Sequence, residues 1–205
     1  MDSLRSIASV VVDTPLARHL AGAPPRPSAR DAFERARRWF LAGQRIDMQL
    51  LADEIGVNRA TLYRWVGNRD QFLAEILWSL GEPTLQNIVE STPGAGGDRI
   101  SRIVGRLCQT LVDSEPLRAY LTREPESALR LITRSASPVQ RRFRDAIEAL
   151  LAHEVAAGNL HPPLELADLA YVITRIAESF IYTDLITGEP PAPEKAEVTI
   201  ATLLR

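Results

Sequence analysis

Three consecutive stretches of this chain each open on a small polar residue and close on a glycine: Ser28 to Gly43, Asp47 to Gly56 and Asn58 to Gly67. A serine, aspartate or asparagine at such a start accepts a hydrogen bond from the free N–H groups of a first helical turn. A glycine at the end takes the left-handed backbone conformation that stops a helix. Between these marks the apolar residues recur every three or four positions: Ala32, Phe33, Ala36, Trp39 and Phe40 in the first stretch, Leu51, Ala52 and Ile55 in the second, Leu62 and Val66 in the third. A strand would need alternation of period two, and no stretch of useful length alternates. The pattern predicts an all-α fold.

Residues 1–27 read as an arm, partly flexible, because Pro15, Pro24, Pro25 and Pro27 cannot continue a helix. After Gly67 the helical pattern persists. Asp70 opens QFLAEILWSL, with Gly81 and Pro83 expected to stop or kink it. STPGAGG, 91–97, is a loop. DRISRIVGRLCQTLVDS follows, then two short helices begun by Pro116 and Pro125. Ser137-Pro138 opens a long helix with Val139, Phe143, Ala146, Ile147, Leu150 and Leu151 in one stripe, ended at Gly158. HPP, 161–163, makes a turn. A segment from Glu165 to Thr187 is apolar nearly all round, and a last helix follows PPAP. The expectation is about nine helices, in an N-terminal unit of three helices over 28–80 and a larger helical unit over 81–205.

Charge divides the chain. Its formal net charge is −2, yet residues 26–69 hold nine arginines against five acids, a local balance of +4. A basic N-terminal third on an acidic body suits a polyanionic partner on one face. Cys108 is the only cysteine, so no internal disulfide forms, and it reads as a small buried hydrophobe. No run approaches the ~18 apolar residues of a membrane span. The N-terminal apolar run, 7–12, is too short for a signal-peptide core. A cytoplasmic protein is expected. His19, His153 and His161 lie far apart, with no partner at metal-ligand spacing. No nucleophile elbow, Walker loop or strand-led glycine fingerprint appears. Neither catalysis nor a metal nor a cofactor is expected.

Ala52, Gly56 and Leu62 stand at offsets 0, +4 and +10. These offsets suit a helix-turn-helix. A small residue lets the second helix cross closely, a glycine makes the turn, and an aliphatic side chain plugs the joint. Leu62 and Val66 then face inward. Ala60, Thr61, Tyr63 and Arg64 face outward, with Arg59 leading. Arginine can bond guanine in the major groove or grip phosphate. Thr61, Tyr63 and Trp65 can donate single hydrogen bonds to phosphate, which set register. Arg69 begins the next helix, where free N–H groups also favour phosphate. A plain helical hairpin with a solvated basic face has the same spacing.

The segment LLADEIGVNRATLYRWVGNRDQFL resembles the signature of the TetR family of bacterial transcriptional regulators, with matches at Leu51, Ala52, Gly56, Val57, Thr61, Leu62, Tyr63 and Leu73. Val66, Trp65 and Arg69 depart from the usual phenylalanine, histidine or tyrosine, and lysine. By position, the resemblance implies base-facing places for Gln49, Arg59, Ala60 and Tyr63, and phosphate contacts for Thr61, Trp65 and Arg69. It further implies that the rest of the chain binds a small effector and forms a homodimer through its last two long helices. Trp78, Leu107, Leu111, Phe143, Ile147, Tyr171, Arg175 and Glu178 are candidate effector contacts. The alternatives are ordinary core packing and an Arg175–Glu178 ion pair at i, i+3. RRFR, 141–144, reads as a solvated basic face or a seat for an anionic effector.

The implied function is a homodimeric repressor that binds a palindromic operator in double-stranded DNA and is released by a small apolar or amphipathic effector. RATLYRWVGNRD with EILWSL also resembles a subset of the family linked to quorum-signal-degrading lactonases, which implies a lactone effector. The alternatives are an architectural or cell-division DNA-binding factor without an effector, favoured by a small closed cavity, and a plain helical interaction module.

Overall fold

A computed structural model describes residues 26–134 and 137–205. The predicted arm, apart from Arg26 and Pro27, lies outside the described residues. Eleven helices and no strand are found among the described residues. They are α1 (Ala29–Leu41), α2 (Met48–Ile55), α3 (Arg59–Val66), α4 (Arg69–Ser91), α5 (Gly96–Val112), α6 (Glu115–Arg123), α7 (Pro125–Thr133), α8 (Pro138–Ala156), α9 (Leu166–Ile181), α10 (Thr183–Ile186) and α11 (Pro193–Leu203).

The predicted punctuation holds in the first three. Ser28 caps α1 in a reciprocal box with Asp31. The Asp47 carboxylate accepts from the Gln49 and Leu50 N–H groups, and Asn58 accepts from that of Thr61. The burial of Ala32, Ala36, Phe40, Leu51, Ala52 and Leu62 closes a small core over which Phe72 and Leu73 of α4 pack.

Three expectations change. The cap of α4 is Asn68, boxed with Gln71, and the helix starts at Arg69. It then runs through Gly81 and Pro83 for 23 residues. Proline removes one i→i−4 hydrogen bond, but Leu85 and Ile88 beyond it are buried against Ile103 and Leu107 of α5, so packing carries the helix on. The long segment after Glu165 divides at Tyr182 into α9 and the one-turn α10. The break at Tyr182 adds one helix, and the eleven found exceed the expected nine or so.

In the body, α11 lies along α5, and α9 packs on α8, α5 and α11. The approach of α11 to α5 is close because Gly105 has no side chain: a Cβ there would sit 2.7 Å from that of Glu197. Head and body share one core. Phe40 of α1 meets Tyr120 of α6 edge-on, with ring centroids 6.0 Å apart. Arg123 donates to the Gly43 carbonyl beside it. The far end of α4 is tied by Arg99, which donates to the carbonyls of Val89 (2.8 Å) and Thr92 (3.0 Å) and pairs with buried Glu154 at 3.1 Å.

Candidate nucleic-acid interface and effector cavity

The turn between α2 and α3 rests on Gly56, whose φ of +76° is left-handed. Its N–H and that of Val57 return to carbonyls of the last turn of α2. Leu62 then points into the core, fully buried beside Ala52. The opposite side of α3 is left to solvent: Arg59, Ala60 and Arg64 are exposed, and Thr61, Tyr63 and Trp65 are half-buried. The Arg59 guanidinium lies 5.2 Å from the centre of the Tyr63 ring and donates to its hydroxyl at 3.2 Å. That hydrogen bond is the main cause of the raised pKa of Arg59. Gln49 is exposed at the start of α2, its amide donating to Asp53 at 2.9 Å. Arg59, Tyr63 and Gln49 share an open groove with Arg45, Asp47 and Arg69.

Arg69 stands apart from the other residues that the sequence points to. Its Nε donates to the Ile46 carbonyl at 2.8 Å, and its Nη2 bonds Glu124 of the body at 2.8 Å. Its side chain is only 22% exposed. Sequence reasoning misses Arg45. Its signal is its place two residues before the Asp47 cap, which brings it to the mouth of this groove.

The second feature is a cavity of about 110 Å³. Its walls come from α4 (Leu77, Trp78, Gly81, Leu85), α5 (Leu107, Leu111), α6 (Leu117), α7 (Ile132), α8 (Val139, Gln140, Phe143) and α9 (Ala177, Glu178, Ile181), with Tyr182 at the end. Five candidate effector residues meet there: Trp78, Leu107, Leu111, Phe143 and Glu178. Three lie elsewhere. Ile147 is sealed in the core one turn further along α8. Tyr171 is 49% exposed on the outer side of α9. Arg175 stacks over the Tyr171 ring at 5.4 Å, donates to the Thr133 carbonyl and pairs with Glu178 at 2.9 Å, so the i, i+3 ion pair is formed.

The polar groups facing the cavity are few. Gln140 is 3% exposed, and its carboxamide oxygen has no hydrogen-bond partner among the described residues. Burial pushes the Glu178 carboxyl up to about 7 against the opposing pull of Arg175. Burial likewise raises the Tyr182 hydroxyl. From the RRFR run, Arg142 pairs with both Glu75 oxygens at 2.8 and 2.9 Å and lies over the Trp78 ring, which closes one side of the cavity. Cys108 is buried, and burial raises its thiol to about 12, so it stays protonated. No group of side chains among the described residues is arranged to hold a metal ion. No described helix is long and apolar enough to cross a membrane.

Known proteins share this architecture. Residues 95–205 match the family model described as tetracyclin repressor-like, C-terminal domain. The structure of the R. erythropolis transcriptional repressor QsdR, from the TetR family, is similar with a TM-score of 0.79 and 33% identity, covering 86% of this chain and 93% of that one. The TetR family repressor AlkX from Dietzia sp., implicated in n-alkane biodegradation, gives 0.58 at 24% identity over 88% of this chain and 95% of its own. The regulator FadR from Bacillus subtilis, solved with stearoyl-CoA, gives 0.53 at 10% identity over 84% and 95%. The last two likenesses bear on the fold alone. No curated protein matches the chain. With more than half its length in the family model and a solved member at one-third identity, the chain belongs to the TetR family of transcriptional repressors, DNA-binding proteins that are typically ligand-responsive and are not enzymes.

Proposed function

We propose that this protein is a repressor that binds a palindromic operator as a homodimer and releases it when a small apolar or amphipathic molecule fills the cavity. The observation that carries the reading is the outer side of α3: Arg59, Ala60 and Arg64 are exposed on a helix whose inner side is sealed by Leu62. Residues 28–80 act as the reading head and 81–205 as the effector and dimer body, with α4 passing unbroken from one to the other. Gln49, Arg59, Ala60 and Tyr63 face bases. Thr61, Arg64, Trp65 and Arg69, joined by Arg45, meet phosphates.

The dimer forms through α9 and α11, where Tyr171 and Val198 stand 49% and 66% exposed. A twofold pair places two recognition helices about 34 Å apart, one turn of duplex, which is why the operator is palindromic.

Trp78, Leu107, Leu111, Phe143 and Glu178 contact the effector. A cavity of about 110 Å³ is near the size of engineered cavities of roughly 150 Å³ that take up benzene. It therefore suits a compact apolar molecule with one polar group against Gln140 or Glu178. A small lactone, a ring with a single ester group, is a candidate of that class. The ligand acts by binding better to the state in which the heads are wrongly spaced, since equal affinity for both states would shift nothing.

Selection of duplexes from a random pool tests the reading. The wild type should enrich a palindrome, and Arg59→Ala should cost about 1–3 kcal/mol at one base position and relax it. Enrichment of no sequence, or sedimentation as a monomer at micromolar concentration, would remove the reading.

A further inference from the structure

The joint between head and body carries an ion pair that a merely structural contact does not need. Glu124 is the single residue between α6 and α7, with φ −134° and ψ 56°, and Pro125 follows it. Its N–H bonds the Tyr120 carbonyl and its carbonyl accepts from Ala128, so both body helices fix its place. Its carboxylate reaches out of the body to the head. One oxygen lies 2.8 Å from Arg69 Nη2 and 3.7 Å from Arg45 Nε. Both arginines line the groove shared with Gln49, Arg59 and Tyr63.

A carboxylate and a phosphodiester offer a guanidinium the same charge and the same acceptor oxygens. An arginine held by one is less available to the other. The Glu124 side chain is only 13% exposed, so solvent screens this competition weakly. Arg45, at 65% exposed, is free to swing toward a duplex; Arg69, at 22%, stays anchored through Nε to the Ile46 carbonyl and can offer Nη2 to phosphate only when Glu124 releases it.

We propose that Glu124 is a built-in competitor for DNA phosphate, a carboxylate of the effector body that occupies Arg69, and partly Arg45, in the free protein. It sits seven residues from Leu117 and eight from Ile132, both cavity-lining, so a ligand that spreads α6 and α7 also resets the reach of this carboxylate. The inference rests on the DNA-reading assignment of the groove.

The test is full-length Glu124→Gln titrated onto a labelled random-sequence 24-base-pair duplex, followed by anisotropy across a salt series. Each further phosphate neutralised by an arginine steepens the log–log salt slope by about 0.9. The variant should bind roughly three- to tenfold tighter at 100 mM salt, with a slope steeper by about one such phosphate. In an Arg45→Gln, Arg69→Gln background the same change should have no effect. Glu124→Asp, which keeps the charge but shortens its reach by one methylene, should fall between wild type and Glu124→Gln, and circular dichroism melts establish that each variant is folded. Unchanged binding by Glu124→Gln would overturn the proposal and leave the ion pair a structural tie, and weaker binding would overturn it and make Glu124 a residue that orients Arg69 toward DNA. Failure of the wild type itself to bind the duplex in a salt-dependent way would instead remove the DNA-reading assignment, and this inference with it.

Discussion

Gly56 isolates what a backbone conformation is worth. Its φ is +76°, and a Cβ placed on it would meet no atom within 4 Å. Gly56→Ala therefore introduces no clash, only the strain of a left-handed residue with a side chain, about 1–2 kcal/mol. Urea unfolding should show that loss, with Gly56→Asn recovering part of it because asparagine tolerates the conformation. A loss well above that range would mean the turn shifts and α3 moves with it, which a parallel fall in DNA affinity would reveal. Leu62 and Ala52, fully buried at the crossing of the two helices, are the neighbours that would have to yield.

At the scale of elements, α4 decides most. Gly81 sits within its regular helical run and faces the cavity, with nothing within 4 Å of where a Cβ would stand. Glycine inside a helix costs about 0.5–1 kcal/mol relative to alanine. Gly81→Ala should raise stability by that amount in thermal or urea melts while reducing the room for an effector. A destabilised variant would show that the cavity wall is tighter than its geometry. The sequence misleads here for a physical reason. The signals that end α1, α2 and α3 are local caps and turns, and they are legible. What continues α4 past Pro83 is the burial of Leu85 and Ile88 against α5, a contact between segments far apart in the chain. The same limit hides the partner of Arg69: Glu124 is 55 positions away, and nothing near Arg69 announces it. Gln140 is hidden too, being one polar residue in an apolar stripe, and only the assembled cavity gives it meaning.

Across the whole molecule, titration of the body should be visible in its stability. Glu178 is held near 7 in the fold by burial, against an ordinary value of 4.5. Between those values the folded chain keeps a proton that the unfolded chain has given up. Stability from this residue is thus greatest below pH 4.5 and declines as pH rises toward about 7. Urea midpoints measured from pH 5 to 7.5 should fall for the wild type by a component that Glu178→Gln lacks; parallel profiles would refute this. An effector whose polar group touches Glu178 would carry the same pH window into its own affinity.

The anchoring of α4 has a mechanical consequence. Arg99 and Glu154 pin its last turn at Val89 and Thr92, and Arg69 lies twenty residues away, about 30 Å along a helix rising 1.5 Å per residue. A rod pinned at its far end, with its first turn tied to the body through Arg69 and Glu124, becomes a lever once that tie lets go. A tilt of roughly 5° about that pin carries the first turn sideways by about 3 Å, the length of one hydrogen bond. A molecule wedged beside Trp78 and Gly81, partway along the arm, would need to push by about half of that.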